Sequence, residues 1–257
     1  MNQSTMSKRN LKERRNKIVE LVNQQGEISV EALAAQFDTS VVTIRKDLTT
    51  LEQNGLLLRR FGGAVPLPSE LKHNPDKQNN NNKKLIGQAA AKLAKDHYRI
   101  IIDSGRTTAQ MIPFLTEKQG LVVMTNALDV ANQLRQLEPE PTLLMTGGTW
   151  DPHSESFQGQ AAESVLKSYD FDQLYIGADG LDFDRGTTSF NELLGLSQVM
   201  AEQSREVIVM LESEKIGRKM PNVEIAWDKI STVVTDKNLQ AAQKEQILNA
   251  GVNLIIA

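Results

Sequence analysis

The chain has 257 residues, 40% of them hydrophobic, and a formal charge of −3. That is enough length for two domains and enough apolar content for packed cores. It has no cysteine, which excludes disulfides and thiolate metal sites, and its three histidines, His73, His97 and His153, show no ligand spacing for zinc. The N-terminus is polar and basic, unlike a secretory signal, and no stretch approaches the ~18 apolar residues of a membrane span, so a soluble cytoplasmic protein without cofactor or metal is expected. Residues 1–10 read as a disordered tail. Lys8, Arg9, Lys12, Arg14 and Arg15 form a basic run, read as a solvated face that could touch backbone phosphate. Ile18, Leu21 and Val22 make the apolar stripe of a first helix, which Gly26 ends before a short strand at Ile28.

Residues 29–63 organise the N-terminal part. Ser29 is a good N-cap with Glu31 in the first turn behind it, and the short helix that follows turns Leu33 and Phe37 inward. Asp38-Thr39-Ser40 breaks it, and Ser40 can cap a second helix. There Val41, Ile44, Leu48 and Leu51 form one apolar face, while Val42, Thr43, Arg45, Lys46, Thr49 and Thr50 lie opposite. Asn54-Gly55 signals the helix stop. Leu56-Leu57-Leu58 and Arg59-Arg60-Phe61-Gly62-Gly63 then suggest a strand turning at a glycine pair. The pattern is that of a winged helix-turn-helix. DNA's major groove admits one helix with an apolar back and a hydrogen-bonding front. Thr39, Ser40, Val42, Thr43, Arg45, Lys46, Arg59 and Arg60 are therefore the candidate DNA-binding residues. A small helical hairpin with a solvated basic face is the alternative reading. Charge placement supports operator DNA as the partner. Residues 1–63 hold ten Lys+Arg against seven Asp+Glu, or +3, and the remainder holds 19 against 25, or −6.

Residues 66–82 read as a linker between a DNA-binding domain, 1–65, and a larger domain, 83–257. The region contains three prolines and the run Asn79-Asn80-Asn81-Asn82, with almost no apolar content. From Lys83 a helix is expected with Leu85, Ile86, Ala89, Ala90 and Leu93 on one side. Short apolar runs then alternate with helical patterns, at 99–102, 121–125, 142–146, 174–177, 207–211, 232–235 and 252–256. Runs this apolar suit strands buried on both faces of a mainly parallel sheet, so the fold class is α/β.

Ligands of open α/β sheets gather at the carboxyl ends of the strands. The first run ends in Asp103-Ser104-Gly105-Arg106-Thr107-Thr108, the second in Thr125-Asn126 and the third in Gly147-Gly148-Thr149. The fourth ends in Gly177-Ala178-Asp179-Gly180, and the fifth leads to Ser213-Glu214-Lys215. Helix caps and tight turns explain each of these singly, but five successive strands followed by polar groups suggest a phosphate-binding edge.

Two segments carry a resemblance. Ser40-Val41-Val42-Thr43-Ile44-Arg45-Lys46-Asp47-Leu48 with Leu51-Glu52 and Gly62-Gly63-Ala64, and upstream Arg14 and Ile18, resembles the N-terminal signature of DeoR-type sugar-operon repressors. Asp103-Ser104-Gly105 with Thr107-Thr108 resembles the phosphate loop of that family's effector domain, and Thr125-Asn126, Gly147-Gly148, Gly177, Asp179-Gly180 and Lys215 match further motif positions. Segments 110–113, 188–192 and 216–222 are most similar to the branch of the family that acts on glucitol (sorbitol) operons. The resemblance implies a winged helix-turn-helix joined to an effector domain with a fold like ribose-5-phosphate isomerase. It further implies a homo-oligomeric repressor released from its operator by a phosphorylated sugar or sugar alcohol, such as glucitol 6-phosphate. The candidate effector residues are Asp103, Ser104, Gly105, Arg106, Thr107, Thr108, Thr125, Asn126, Gly147, Gly148, Asp179, Gly180, Glu192 and Lys215.

Arg106 stands where the family's loop has a small or hydroxyl residue, and Asp151 follows the Gly-Gly motif where the family has a basic one. Either Arg106 contacts the effector phosphate or Arg106 and Asp151 pair. The alternative to a repressor is a sugar-phosphate isomerase or deaminase with a DNA-binding appendage. Asp103, Asp179 and Glu192 would then supply acid-base chemistry and Lys215 would hold an anion.

Overall fold

The computed structural model describes residues 3–53, 56–60, 62–66, 77–152, 154–189 and 194–257. Asn54-Gly55, Phe61, His73, His153 and Glu192 lie outside these residues, as does the greater part of the expected linker. The chain divides into two compact units, 1–75 and 76–257.

The first unit begins with α1, Gln3–Gln25. The expected disordered tail is thus helical from Gln3. Nothing in residues 4–13 breaks a helix, and the good formers Met6, Lys8, Arg9, Leu11 and Lys12 let it propagate upstream from the packed turns. The strand β1, Ile28–Ser29, leads into α2, Val30–Gln36, whose N-cap Ser29 accepts a hydrogen bond from the Ala32 amide. Next come α3, Val41–Gln53, and the antiparallel strands β2, Leu57–Arg60, and β3, Gly63–Pro66. β3 lies between β1 and β2. Ile18, Val22, Leu33, Ile44, Leu48, Leu51 and Leu57 fill one small core, with Phe37 and Val41 packed at its margin. This is the winged helix-turn-helix expected from the apolar spacing.

The second unit opens with α4, Lys77–Ala91. Its start at Lys77 places residues 77–82, expected as linker, inside a helix. Asparagine is a mediocre helix former but not a breaker, and Ile86 and Ala90 anchor the helix in the core. Alternating elements follow: β4, Arg99–Ile102; α5, Arg106–Ala109; β5, Val122–Thr125; α6, Leu128–Leu134; and β6, Thr142–Met145. A hairpin, β7, Thr149–Asp151, and β8, Ser156–Gln158, precedes α7, Gln160–Leu166, and β9, Phe171–Ile176. The remainder comprises β10, Gly180–Asp182; β11, Gly186–Ser189; α8, Gly195–Glu202; and β12, Ser204–Met210. It continues with β13, Asn222–Ile225; β14, Thr232–Thr235; α9, Ala241–Asn249; and β15, Asn253–Ile256.

All seven apolar runs join one parallel sheet, in the order β15-β14-β12-β9-β4-β5-β6. Side chains alternate between two cores. Ile101, Leu174, Val207 and Val209 face one, while Ile100, Ile102, Tyr175, Ile208 and α4 build the other. α4 lies close to the turn after α5, since a Cβ on Gly87 would stand 2.5 Å from the Gln110 carbonyl carbon. Strand order reverses between β4 and β9, and in open α/β sheets the crevice at the carboxyl ends of such a switch point is where ligands bind. A small antiparallel sheet, β10-β11-β13, follows β9 there.

Candidate functional site

In the first unit α3 is fixed from its start. Ser40 Oγ accepts from the Thr43 amide at 3.2 Å and lies 2.9 Å from Thr43 Oγ1, so both hydroxyls serve the cap. Thr39 is half-buried, and its amide donates to the Ala34 carbonyl. Val42, Arg45 and Lys46 are exposed together on the outer surface of α3. Arg59 ties the wing to α3. Its amide donates to Glu52 Oε1 at 2.8 Å and its Nη1 to Thr49 Oγ1 at 2.9 Å. Arg60 lies in β2, and its side chain is outside the described part.

Arg14 and Arg15, read from sequence as a solvated face, instead clamp α1 to α3. Their Nε atoms donate to the buried Asp47 carboxylate at 2.7 and 2.8 Å. Ion pairs of this kind could not be assigned from spacing, because the partners stand 33 and 32 residues apart.

In the second unit the two strands flanking the crevice deliver the loops of interest. Asp103 follows β4, and its amide donates to the Tyr175 carbonyl of β9. Asn126, at the end of β5, donates from Nδ2 to Asp103 Oδ1 at 2.8 Å and accepts the Ser104 amide on Oδ1 at 3.0 Å. Burial pushes the Asp103 carboxyl up to about 6, against the opposing hydrogen bonds from Asn126 and Ser104. The threonine hydroxyls are used internally. Thr108 Oγ1 donates to the carbonyls of Asp103 and Gly105, Thr125 Oγ1 accepts the Ala127 amide, and Thr107 Oγ1 reaches Glu212 at 3.4 Å. Arg106 is left exposed beside Gly105.

Gly147 and Gly148 have φ of +62° and +110°, and a Cβ on Gly148 would lie 2.6 Å from the Gln158 carbonyl oxygen. The pair is therefore required where the chain enters the β7-β8 hairpin. That hairpin also reaches the crevice, since the Phe157 amide donates to the Asn126 carbonyl. Asp179 accepts from Ser189 Oγ at 2.8 Å. Gly180 opens β10, and the chain carrying Lys215 runs alongside it through a bridge between Leu181 and Ile216. Lys215 Nζ donates to the Ala178 carbonyl at 3.1 Å. Asp151 accepts from Ser154 Oγ at 2.7 Å.

Three residues of this region escaped the sequence reading. Glu212, buried after β12, stands 3.1 Å from Lys83 Nζ and 3.5 Å from Lys215 Nζ. Lys83 itself is buried in α4. Glu224, in β13, accepts from Ser197 Oγ at 2.9 Å, and its carboxyl is pushed up to about 8, first by burial and then by the charge of Asp103, with Asp179 adding to it. An acidic residue in an alternating strand gives no signal of burial in one sequence. The apolar run ending at Leu211 did mark the neighbourhood of Glu212.

Residues 14–70 match the DeoR-like helix-turn-helix domain and residues 78–237 the DeoR C terminal sensor domain. A candidate aga operon transcriptional repressor of Escherichia coli O157:H7 is 36% identical over 95% of this chain and 93% of its own. The HTH-type transcriptional regulator GlpR of Haloferax volcanii is 31% identical over 95% and 96%. Among solved structures, ribose 5-phosphate isomerase A from Methanocaldococcus jannaschii aligns over 54% of this chain and 55% of its own, with TM-score 0.40 and 18% identity. Among the described residues no helix is long and apolar enough to cross a membrane. With both domain families matched in order, and relatives alike over more than nine-tenths of their length, the chain belongs to the DeoR family of DNA-binding transcriptional repressors.

Proposed function

We propose that the protein represses a sugar or sugar-alcohol catabolic operon and is released when a phosphorylated sugar binds the crevice between β4 and β9. The supporting observation is the convergence there of the 103–106 loop, Asn126, Asp179 and Lys215, drawn from four strands. Arg106 offers the fork of donors that suits a phosphate, and the inward carboxylates and Asn126 suit the hydroxyls of a polyol. A ligand releases operator only if it binds the release-prone state more tightly. Full-length protein on its operator should therefore be displaced by a phosphorylated sugar and not by the unphosphorylated one. Glucitol 6-phosphate is the first effector to test, on the strength of segments 110–113, 188–192 and 216–222. Release by the unphosphorylated sugar alone would remove phosphate from the proposal.

Arg106→Thr should weaken sugar-phosphate binding by about 1.5–3 kcal/mol, as for a lost hydrogen bond to a charged group. Calorimetric titration measures it, and wild-type affinity in the variant would eliminate the phosphate contact. In the first unit, Arg45→Ala should weaken operator binding by roughly 1–3 kcal/mol if it makes a bidentate base contact. Effector affinity should stay at the wild-type value. A single reading helix covers little DNA, so the repressor is expected to act as a homo-oligomer on repeated half-sites, which sedimentation of the full chain would show.

The enzyme reading retains one supporting observation, the near-neutral carboxyls of Asp103 and Glu224, which suit proton transfer. Turnover of fructose 6-phosphate or ribose 5-phosphate by the purified chain would establish it.

A further inference from the structure

Val42 is 61% exposed in the first turn of α3. The helix does not need it for packing, because Ile44, Leu48 and Leu51 are already in the core and Val41 covers its margin. Nor does it help the helix form, since a β-branched side chain loses rotamer freedom there. Arg45 and Lys46 stand three and four residues further on, both exposed, so the isopropyl group shares one helical surface with two cations. The neighbouring hydroxyls of Ser40 and Thr43 are turned to each other. The outward stripe of the reading helix is thus one apolar group followed by two charged ones.

The major groove offers hydrogen-bond donors and acceptors on every base pair, and one apolar feature, the thymine C5-methyl group. Residues at the N-terminal end of a reading helix are those that meet base edges. An isopropyl group cannot hydrogen-bond, so it discriminates only by burying itself against that methyl. We propose that Val42 reads a thymine methyl, one in each site occupied by a reading helix, and so fixes an adenine–thymine pair without a hydrogen bond. The proposal rests on α3 entering the major groove. It adds a chemical identity for one operator position.

Duplexes selected from a random pool by the full-length protein supply the probe. Each selected thymine is then replaced singly by deoxyuridine, which lacks only the methyl. Wild-type protein should lose about four-fold in affinity at one position per half-site, the size of one buried methyl group. Full-length Val42→Ala should bind the thymine duplex more weakly and show no further loss with deoxyuridine at that position, as expected when both changes remove the same contact. Because Val42 packs against nothing in the core, the variant should melt with the wild type. Val42→Thr, which keeps one methyl, should fall between the two. Replacing the pair by guanine–5-methylcytosine, which keeps a methyl in the groove, should bind more tightly than guanine–cytosine. Wild-type indifference to deoxyuridine at every position, or a deoxyuridine effect that persists in Val42→Ala, would overturn the proposal. Arg45→Ala separates the two levels. If it too leaves affinity unchanged, α3 is not in the groove. If it weakens binding while the methyl effect is absent, the thymine contact alone is wrong.

Discussion

Glu212→Ala should destabilise the second unit by about 3–5 kcal/mol, the range found when one member of a buried ion pair is removed. The Glu212 side chain is 3% exposed, and the Lys83 side chain, whose ammonium stands 3.1 Å away, is 10% exposed. Alanine would leave that ammonium desolvated with no carboxylate beside it. Lys215, more open to water, loses less. The pair itself need not be strongly stabilising, because both charges gave up hydration to form it. A Glu212→Leu, Lys83→Met double variant should therefore recover much of the loss, and the coupling between the two sites should be large. The carboxylate also carries a pH signature. Burial pushes its pKa up, but the charges of Lys215 and Lys83 outweigh this and leave it below the usual 4.5. Its stabilisation is thus complete above the unfolded pKa and is lost as pH falls through the lower folded one. Melting of Glu212→Ala within about 1 kcal/mol of wild type would show that the three groups do not act as a unit.

Glu224→Gln should have the opposite sign, and its effect should depend on pH. The Glu224 carboxyl is raised from 4.5 to about 8, so the folded protein binds that proton more tightly than the unfolded chain does. Stability from this group is then greatest at acid pH and declines as pH rises from the unfolded value through the folded one. One pKa unit corresponds to about 1.4 kcal/mol, so glutamine should stabilise the protein on the order of 5 kcal/mol at about pH 9 and little at about pH 5. The amide oxygen can still accept from Ser197. Asp103, raised to about 6 mainly by burial, adds a smaller decline at lower pH that remains in the variant. Parallel melting curves of the two proteins across pH would test this, and identical pH profiles would show that Glu224 ionises freely in the fold. Effector affinity should be followed in the same series, because the charges of Asp103 and Asp179, both candidate effector residues, help to raise the Glu224 pKa.

The two effects turn on residues whose chemistry is visible in the sequence but whose neighbours are not. Lys83 reads as the first residue of an amphipathic helix and Glu212 as a polar residue after a strand. Only the packing of α4 beside the end of β12 makes them a pair. The same holds for Asp47, which sits in the family's reading helix but is buried by Arg14 and Arg15 of α1. Thr107 and Thr108 show the converse. Hydroxyls at a helix start suggest phosphate contact, whereas here they satisfy backbone carbonyls and reach Glu212, which leaves Arg106 as the outward group of that loop.

Local pattern was sufficient for the helix-turn-helix and for every strand of the parallel sheet. Apolar spacing decides which face of an element leaves water, and runs at 99–102, 207–211 and 232–235 have no polar face to expose. Strands β7, β8, β10, β11 and β13 carried no such pattern. They are short and polar, and their pairing is set by what lies across from them, as where Gly180, paired with Thr188, comes so close to Thr188 and Arg218 that a Cβ would not fit. Strand order was equally out of reach, because parallel neighbours are joined by long crossovers that leave no mark in sequence. It is that order, with β4 beside β9, that opens the crevice and brings Asp103 together with Asn126 and Glu224. Burial periodicity is a property of single elements. Charge pairing and pKa shifts arise from distances between elements, and those exist only once the sheet has assembled.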